Sequence, residues 1–442
     1  MSSKFSKWIL TYSSILIAFS LGIYIVNSED AIESQYLYYT LMIIITLSIY
    51  LISKHKLLSA FIVITILFGV LYILMTPITS PVDEGAHYDY IRKMNTFKLP
   101  TLFDTIDAGL LSSISQYSVP YGTQYEAVHP PLYYFVTSLL TKVVYSTPIV
   151  QFVSIRFFGL GMLVGSLCFL LKTVKFLGQR TSLEYLDVLG FGVLSLLILN
   201  PGIITRMSTI SNESLTVFLF CAATYILVKM SFEPQIKTRK VVSISVVAAA
   251  LILTKLTTAY IVALIVLLLT LKKHYRQIFL FLLIVFLICL PWLIFNIYTY
   301  RTLTATSLHV EFVKQIVNPG NENFGFLFLM DQLFQLFTYF FIPQEYYYQS
   351  LPQPMLMVVM ALSTIMIVLV LYASRITLRF STINGIENRV LLITALSVLL
   401  NIALLAYGTT SQDVNVMIGR YMYINVIPIF ILLVHLTKMA IM

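Results

Sequence analysis

Apolar runs recur along the whole chain, at about 8–26, 36–53, 57–75, 151–171, 185–204, 212–230, 241–255, 257–271, 278–299, 354–374, 389–407 and 421–438. A helix needs about 20 apolar residues to cross the hydrocarbon core of a bilayer, and most of these runs approach or reach that length. Strand-like alternation is absent, and a backbone in lipid must satisfy its hydrogen bonds internally. The pattern therefore predicts an all-α polytopic membrane protein with about twelve transmembrane helices. Lys4 and Lys7 precede the first run, which is too long for a signal peptide and lacks a clean small-residue cleavage site, so it is read as a retained helix.

A further apolar stretch, 131–145, has to be placed by charge. With twelve spans and the N-terminus inside, the cytoplasmic loops collect Lys54, Lys56, Lys172, Lys175, Arg180, Lys229, Lys237, Arg239, Lys240, Lys272, Lys273, Arg276, Arg375, Arg379 and Arg389. Together with Lys4, Lys7 and Lys438 these make eighteen of the 28 basic residues. Counting 131–145 as a span would invert everything after it and turn the basic clusters outward, against the positive-inside tendency. The stretch is therefore expected to lie as a helix on the outer surface, with the prolines of Pro130-Pro131-Leu132-Tyr133-Tyr134 in its first turn. Two long outer loops follow, about 76–150 and 300–353. Neither is low-complexity or strongly charged, so both are expected to be folded.

Composition agrees with this picture. Hydrophobic residues make up 59% of the chain and charged residues only 11%, against about 25% charged in soluble domains. The net charge of +9 is explained by the loop lysines and arginines. No basic patch is interleaved with stacking aromatics, so nucleic acid is not expected as a partner. Cys168, Cys221 and Cys289 all fall in apolar runs without metal or redox spacing and are read as small core residues.

The candidate chemistry gathers at predicted outer helix ends. Asp83 and Glu84 follow the third span within Pro81-Val82-Asp83-Glu84-Gly85-Ala86-His87. They can serve as helix cap and solvated neighbour, as a general base, or with His87 as ligands of a divalent cation. His87 stands three residues after Glu84, on the same face of a helix. His129-Pro130-Pro131-Leu132-Tyr133-Tyr134 closes the same loop. Arg206 ends the fifth span, and Asn212-Glu213 opens the sixth. Lys255 sits in Leu253-Thr254-Lys255 at the outer end of the seventh, where it can snorkel to the interface or meet a phosphate. Arg420 lies in Gly419-Arg420-Tyr421 before the last span. Arg206, Lys255 and Arg420 thus fall at one predicted depth on different helices, a set able to surround one anionic head group. The stretch 324–348, with eleven aromatics, reads as an interfacial belt or a lipid- or sugar-binding wall, with Glu345 able to face a site.

These motifs, in this order, resemble the glycosyltransferase-C superfamily. The likeness is greatest to predicted bacterial membrane proteins with a Pro-Asp-Glu-x-x-His signature and more distant to protein O-mannosyltransferases and lipid A aminoarabinose transferases. It spans about 57–438 and leaves 1–56 as an extra N-terminal transmembrane hairpin. The resemblance implies an enzyme of a bacterial plasma (inner) membrane, multi-pass, with its active site facing outward. It would move a sugar from a polyprenyl-phosphate-linked donor to a cell-envelope glycan or lipid acceptor, with inversion. By the match, Asp83 and Glu84 take the catalytic position. His87, His129, Tyr133, Arg206, Asn212, Glu213, Lys255, Arg420 and Tyr421 contact substrate, with Lys255 and Arg420 at the donor phosphate. No cofactor is assigned, and a divalent cation on Asp83, Glu84 and His87 stays open. The chain departs from the family in carrying its acidic loop after the third helix and Asn212-Glu213 where relatives often have Asn-Asp. Two other functions fit a multi-pass chain with outer loops: a lipid-linked glycan polymerase, and a non-enzymatic transporter or flippase of lipid-linked sugars. Few arginines in 300–353 speak against the first; the absence of repeats and of charge near mid-membrane speaks against the second.

Overall fold

The computed structural model describes residues 57–79, 83–114, 122–144, 147–180, 200–317, 326–341, 353–378, 386–412 and 419–441. The expected spans 8–26 and 36–53, most of 185–204, and Glu345 lie outside the described residues. Among the described residues every regular element is helical, with one isolated bridge between Thr105 and Thr123. Five helices are long and apolar enough to cross a membrane: Pro148–Arg180, Glu213–Phe232, Tyr275–Tyr300, Met360–Leu378 and Asn388–Tyr407. Ile62–Leu74, Leu256–Leu271 and Arg420–Leu436 are apolar but shorter. The protein is a helical, membrane-embedded chain.

We label the elements used below in chain order. They are α1 (Leu57–Met75), α2 (Glu84–Met94), α3 (Ala108–Ile114), α4 (Leu132–Val143), α5 (Pro148–Arg180), α6 (Pro201–Met207), α7 (Glu213–Phe232), α8 (Thr238–Ile252), α9 (Tyr260–Leu271), α10 (Tyr275–Tyr300), α11 (Thr306–Val317), α12 (Phe326–Phe341), α13 (Gln353–Leu378), α14 (Ile386–Gln412) and α15 (Val426–Ile441). Three 3-10 turns matter as well: Tyr125–Val128, Leu256–Ala259 and Gly419–Asn425.

α7 is the centre of the bundle. Two thirds (67%) of its apolar window is buried inside the protein, against 22% for α10, whose Phe279, Leu282, Phe286 and Ile294 face outward. α7 packs along α5, and α5 packs on α1. Helices in lipid gain little from hydrophobicity against one another, so close approach over small residues drives their packing. Gly159 and Gly165 of α5 supply it. A Cβ on Gly159 would lie 2.3 Å from the Met207 carbonyl oxygen, and one on Gly165 would meet the Phe218 ring at 2.6 Å. The cysteines divide: Cys221 and Cys289 are buried, but Cys168 is exposed, because it lies on the outer face of α5.

Both long loop segments contain helices. The first builds a core of its own from Tyr88, Tyr90, Ile91, Tyr125, Tyr133 and Tyr134, continuous with Phe152 and Ile155 of α5 and Leu215 of α7. α4, within the expected surface stretch, has 12 residues, far below the length that spans a bilayer. It buries Tyr133, Tyr134, Thr137, Ser138 and Thr141 and exposes Phe135, Leu139 and Val143, four residues apart on one stripe. Such a face suits an element lying in the membrane interface. In the second segment α12 packs against α6, α13 and the turn Gly419–Asn425, so part of the aromatic stretch forms core: Phe337 and Phe340 are buried.

Gly159→Ala is predicted to destabilise the protein by about 1–3 kcal/mol. The clash with a backbone oxygen cannot be relieved by a rotamer change and outweighs the roughly 1 kcal/mol that alanine gains in helix propensity. Thermal unfolding in detergent measures this, and an unchanged or raised midpoint contradicts the packing described.

Candidate functional site

Five chain segments meet at one end of the bundle, and buried carboxylates organise them. The first is Glu84, at the start of α2 and 1% exposed. Its Oε1 accepts from Arg156 Nε at 2.8 Å and from the Ile210 amide at 2.9 Å, and its Oε2 accepts from Arg156 NH2 at 2.6 Å. Arg156 also donates to the carbonyls of Ile73 (3.2 Å), Thr76 (2.8 Å) and Pro77 (2.9 Å). All five guanidinium N–H groups thus have acceptors, the condition under which a buried arginine is tolerated. This one pair ties the end of α1, the start of α2, α5 and the turn between α6 and α7 together.

Glu213 is the second. It opens α7 and collects cations from three other segments. Arg206 Nε donates to Oε2 at 2.5 Å and Lys255 Nζ to Oε1 at 3.0 Å. Arg420 Nε lies 3.3 Å from Oε1, outside hydrogen-bond geometry. Each cation is positioned by local structure. Arg206 ends α6, whose first turn is capped by Asn200 and held to α12 by Asn200 donating to the Phe340 carbonyl. α8 breaks before Lys255, and the Leu253 carbonyl there accepts from the Leu132 amide at the start of α4. Tyr421 lies beneath two of the charges, with Lys255 Nζ 4.1 Å and the Arg420 guanidinium 5.4 Å from its ring centre, a cation–π arrangement.

Asp83 borders this cluster on its open side. Its Oδ1 accepts from the Tyr125 hydroxyl at 3.1 Å and its Oδ2 from Arg420 NH2 at 3.5 Å. The Asp83 and Arg420 side chains are 15% and 16% exposed, whereas Glu213 and Lys255 are 5% and 6%. Asp83 is the N-cap residue of α2 but makes no capping bond, and its backbone is left-handed at φ 73°. Backbone strain of this kind is retained where the surrounding structure requires it, often at functional sites.

The third buried glutamate, Glu126, has a different solution. Its Oε2 lies 3.3 Å from both His87 Nδ1 and His129 Nε2 and accepts from Tyr134 at 3.4 Å. Tyr134 also lies 2.9 Å from His87 Nδ1. Burial, and next the charge of Asp83, pushes Glu126 well above the usual carboxylate range. Burial and nearby cations, Arg206 for His87 and Lys255 for His129, hold the imidazoles well below theirs. Each of these shifts favours the uncharged form of the group it acts on. His309 of α11 approaches from the second loop segment, whose helix packs on the turn Tyr125–Val128. Its Nδ1 is buried with no hydrogen-bond partner among the described residues, and burial lowers its pKa while Asp83 opposes that shift.

The structure brings together Asp83, Arg206, Glu213, Lys255, Arg420 and Tyr421, and sets His87 and His129 beside them. Lys255 does not snorkel; it is buried on Glu213. Tyr133 is fully buried in the loop core, and Asn212 is buried at the start of α7, its carbonyl accepting from Thr216. Glu84 and His87 share a helix but diverge, one to Arg156 and the other to Glu126. Asp83, Glu84 and His87 thus do not converge as ligands, and among the described residues no group of three His, Cys, Asp or Glu side chains is arranged to hold a metal ion. Sequence reading passed over Arg156, Glu126 and His309. A lone arginine inside a span was a legible signal, as was Glu126 three residues before His129; His309 carried none. No family model, curated protein or solved structure matches the chain.

Two substitutions separate the glutamates. Glu84→Gln is predicted to lower stability by about 3–5 kcal/mol, because it leaves Arg156 as an uncompensated buried charge. Glu126→Gln has the opposite logic. The folded chain holds that proton more tightly than the unfolded chain, so the contribution of Glu126 to stability falls as pH rises above the ordinary carboxylate range. The amide variant is predicted to be at least as stable as wild type at pH 8, with its advantage shrinking towards pH 5. Chemical or thermal unfolding across that pH range checks both, and equal effects of the two variants at pH 8 would contradict the assignment.

Proposed function

We propose that the protein is a membrane glycosyltransferase of glycosyltransferase-C type. It transfers a sugar from a polyprenyl-phosphate donor to a cell-envelope glycan or lipid acceptor at the outer face of a bacterial plasma membrane. On this reading about twelve helices span the bilayer and both long loop segments lie outside. The observation that carries it is the gathering of Arg206, Lys255 and Arg420 from three segments, with Asp83 on the exposed edge.

Transfer of a sugar off a lipid phosphate needs two things. The acceptor hydroxyl must lose its proton, and the leaving phosphate must have its charge neutralised. Asp83 is the base, because both Glu84 oxygens are engaged by Arg156 and the Ile210 amide. The acceptor oxygen attacks the anomeric carbon as Asp83 takes its proton. The bond from that carbon to the phosphate oxygen breaks, its electron pair passes to phosphate, and the centre inverts through an oxocarbenium-like state. Lys255 and Arg420 hold the phosphate, while Glu213 and Arg206 fix their positions in advance. Such preorganisation avoids reorganisation at the moment of reaction. His129, with a side chain 28% exposed, borders the acceptor, and His87 keeps it in place through Glu126. The apolar stripe of α4 lies along the membrane surface, where the lipid chain of the donor runs.

Purified protein incubated with a panel of polyprenyl-phosphate sugars and lipid acceptors is predicted to release polyprenyl phosphate. Asp83→Asn lowers the rate by about 10²–10⁴-fold, and Lys255→Met or Arg420→Met by about 10²–10³-fold. Wild-type release by Asp83→Asn would remove the proposed base.

A further inference from the structure

The first long loop segment carries apolar groups that its own fold leaves uncovered, and they fall together. Phe97 is 77% exposed. It follows the last turn of α2 with a left-handed backbone at φ 57°, and its amide donates to the Met94 carbonyl at 3.0 Å. Glycine or asparagine normally takes such a position after a helix, because a bulky side chain is strained there. Phe97 thus combines a strained backbone with a large ring in the open. The ring reaches the end of α4, where Lys142 Nζ lies 3.7 Å from its centre. Thr141 donates to Asn95 Oδ1 at 3.0 Å, which fastens the ends of α2 and α4 side by side. Val143, beside Lys142 in the chain, is 83% exposed and continues the stripe of Phe135 and Leu139. Lys142 is exposed and forms no ion pair among the described residues, whereas Lys93 and Lys98 are paired with Asp89 and Asp104.

The place of this patch along α5 indicates what covers it. α4 ends at Val143, and α5, long and apolar enough to cross the membrane, begins at Pro148. α2 and α4 are bonded to the first turn of α5. Tyr88 donates to the Pro148 carbonyl at 3.1 Å, Arg92 to Gln151 at 2.9 Å, and Gln151 to the Thr141 carbonyl at 3.3 Å. Ile149, Val150 and Phe157 of α5 are exposed as well, so the patch adjoins a surface that lipid covers. It lies where a spanning helix leaves the hydrocarbon, the level at which aromatic rings and lysines settle in a bilayer. We propose that Phe97, Lys142 and the stripe of α4 form a membrane anchor. The Phe97 ring, Leu139 and Val143 enter the head-group and upper acyl region, and the Lys142 ammonium meets lipid phosphates. The 11-residue helix α2 is then a strut about 16 Å long. It is held in the bundle at Glu84 and in lipid at Phe97. The anchor fixes the height of Asp83, the residue before the strut, relative to the bilayer surface. It does so whatever reaction the site performs, and it does not rest on the proposed transferase.

The test uses the full chain in nanodiscs of phosphatidylcholine and phosphatidylglycerol. Cys168→Ala removes the exposed cysteine and leaves Cys221 and Cys289 buried. A nitroxide is attached through Phe97→Cys, Leu139→Cys or, as a reference on the face of α5, Phe157→Cys. Its collisions with oxygen, which concentrates in lipid, are compared with those of a water-soluble nickel chelate. Oxygen is expected to dominate at 97 and 139 as it does at 157. Dominance of nickel at 97 and 139, as for the free label in water, overturns the anchor. If the label at 97 prevents folding, position 139 decides. Phe97→Asn removes the ring but keeps a residue that tolerates the left-handed backbone. Its amides at 94–99 are expected to lose protection from hydrogen exchange in nanodiscs. Unchanged or greater protection overturns the proposal, because the ring then contributes only strain. Lys142→Glu sets a like charge against lipid phosphate and is expected to lower the oxygen preference at 139; no change overturns the part given to Lys142.

Discussion

A charge buried at the edge of a membrane must be paired, and the Glu84–Arg156 pair is the constraint on which the rest of this structure depends. Two ions taken out of water cost several kcal/mol each unless the geometry is complete. Here it is complete: Arg156 uses all its donors, and Glu84 takes the Ile210 amide as well. The pair holds the loop helix α2 to the bundle and at the same time fixes the turn that leads into Glu213. Asp83, the neighbour of Glu84 in the chain, is thereby pinned at the mouth of the cation cluster in a left-handed backbone conformation.

The three glutamates near this site answer the same physical demand in three ways. Glu84 has one arginine and is structural. Glu213 has Arg206, Lys255 and Arg420 around it. Glu126 has only histidines and a tyrosine, and burial pushes its carboxyl well above the usual range. The outcome is a site where cations from three segments gather on one buried carboxylate and where a more exposed carboxylate, Asp83, touches the most exposed of those cations. That combination is what a reaction needs if it removes a proton from one substrate and creates negative charge on another.

Much of this was legible in the sequence, and the legible part had clear physical signals. Apolar runs and loop lysines predicted a helical membrane protein, and Pro130-Pro131 with a short apolar stretch predicted the short helix α4. The convergence of Arg206, Lys255 and Arg420 followed from their equal depth at helix ends. Depth is one coordinate, however, and partner choice needs the others. The sequence placed Glu84 and His87 on one face, but packing of α2 against α5 and α4 sent them to different partners. Arg156 was hidden among the outer basic residues because its importance comes from the three carbonyls it meets, 79–83 residues away in the chain. His309 lies in a loop whose approach to the first loop is purely tertiary. Cys168 read as core because an apolar run does not say which face lipid covers.

The central claim is that Lys255 and Arg420, beside Asp83, hold a lipid-linked phosphate. An electron cryomicroscopy structure of the protein in lipid nanodiscs with polyprenyl phosphate tests it most directly. The account predicts phosphate density in contact with Lys255 and Arg420, within hydrogen-bond reach of the Asp83 side, with the Glu84–Arg156 pair unchanged. A head group seated elsewhere, with Arg420 still directed at Asp83 and Glu213 as before, would contradict it.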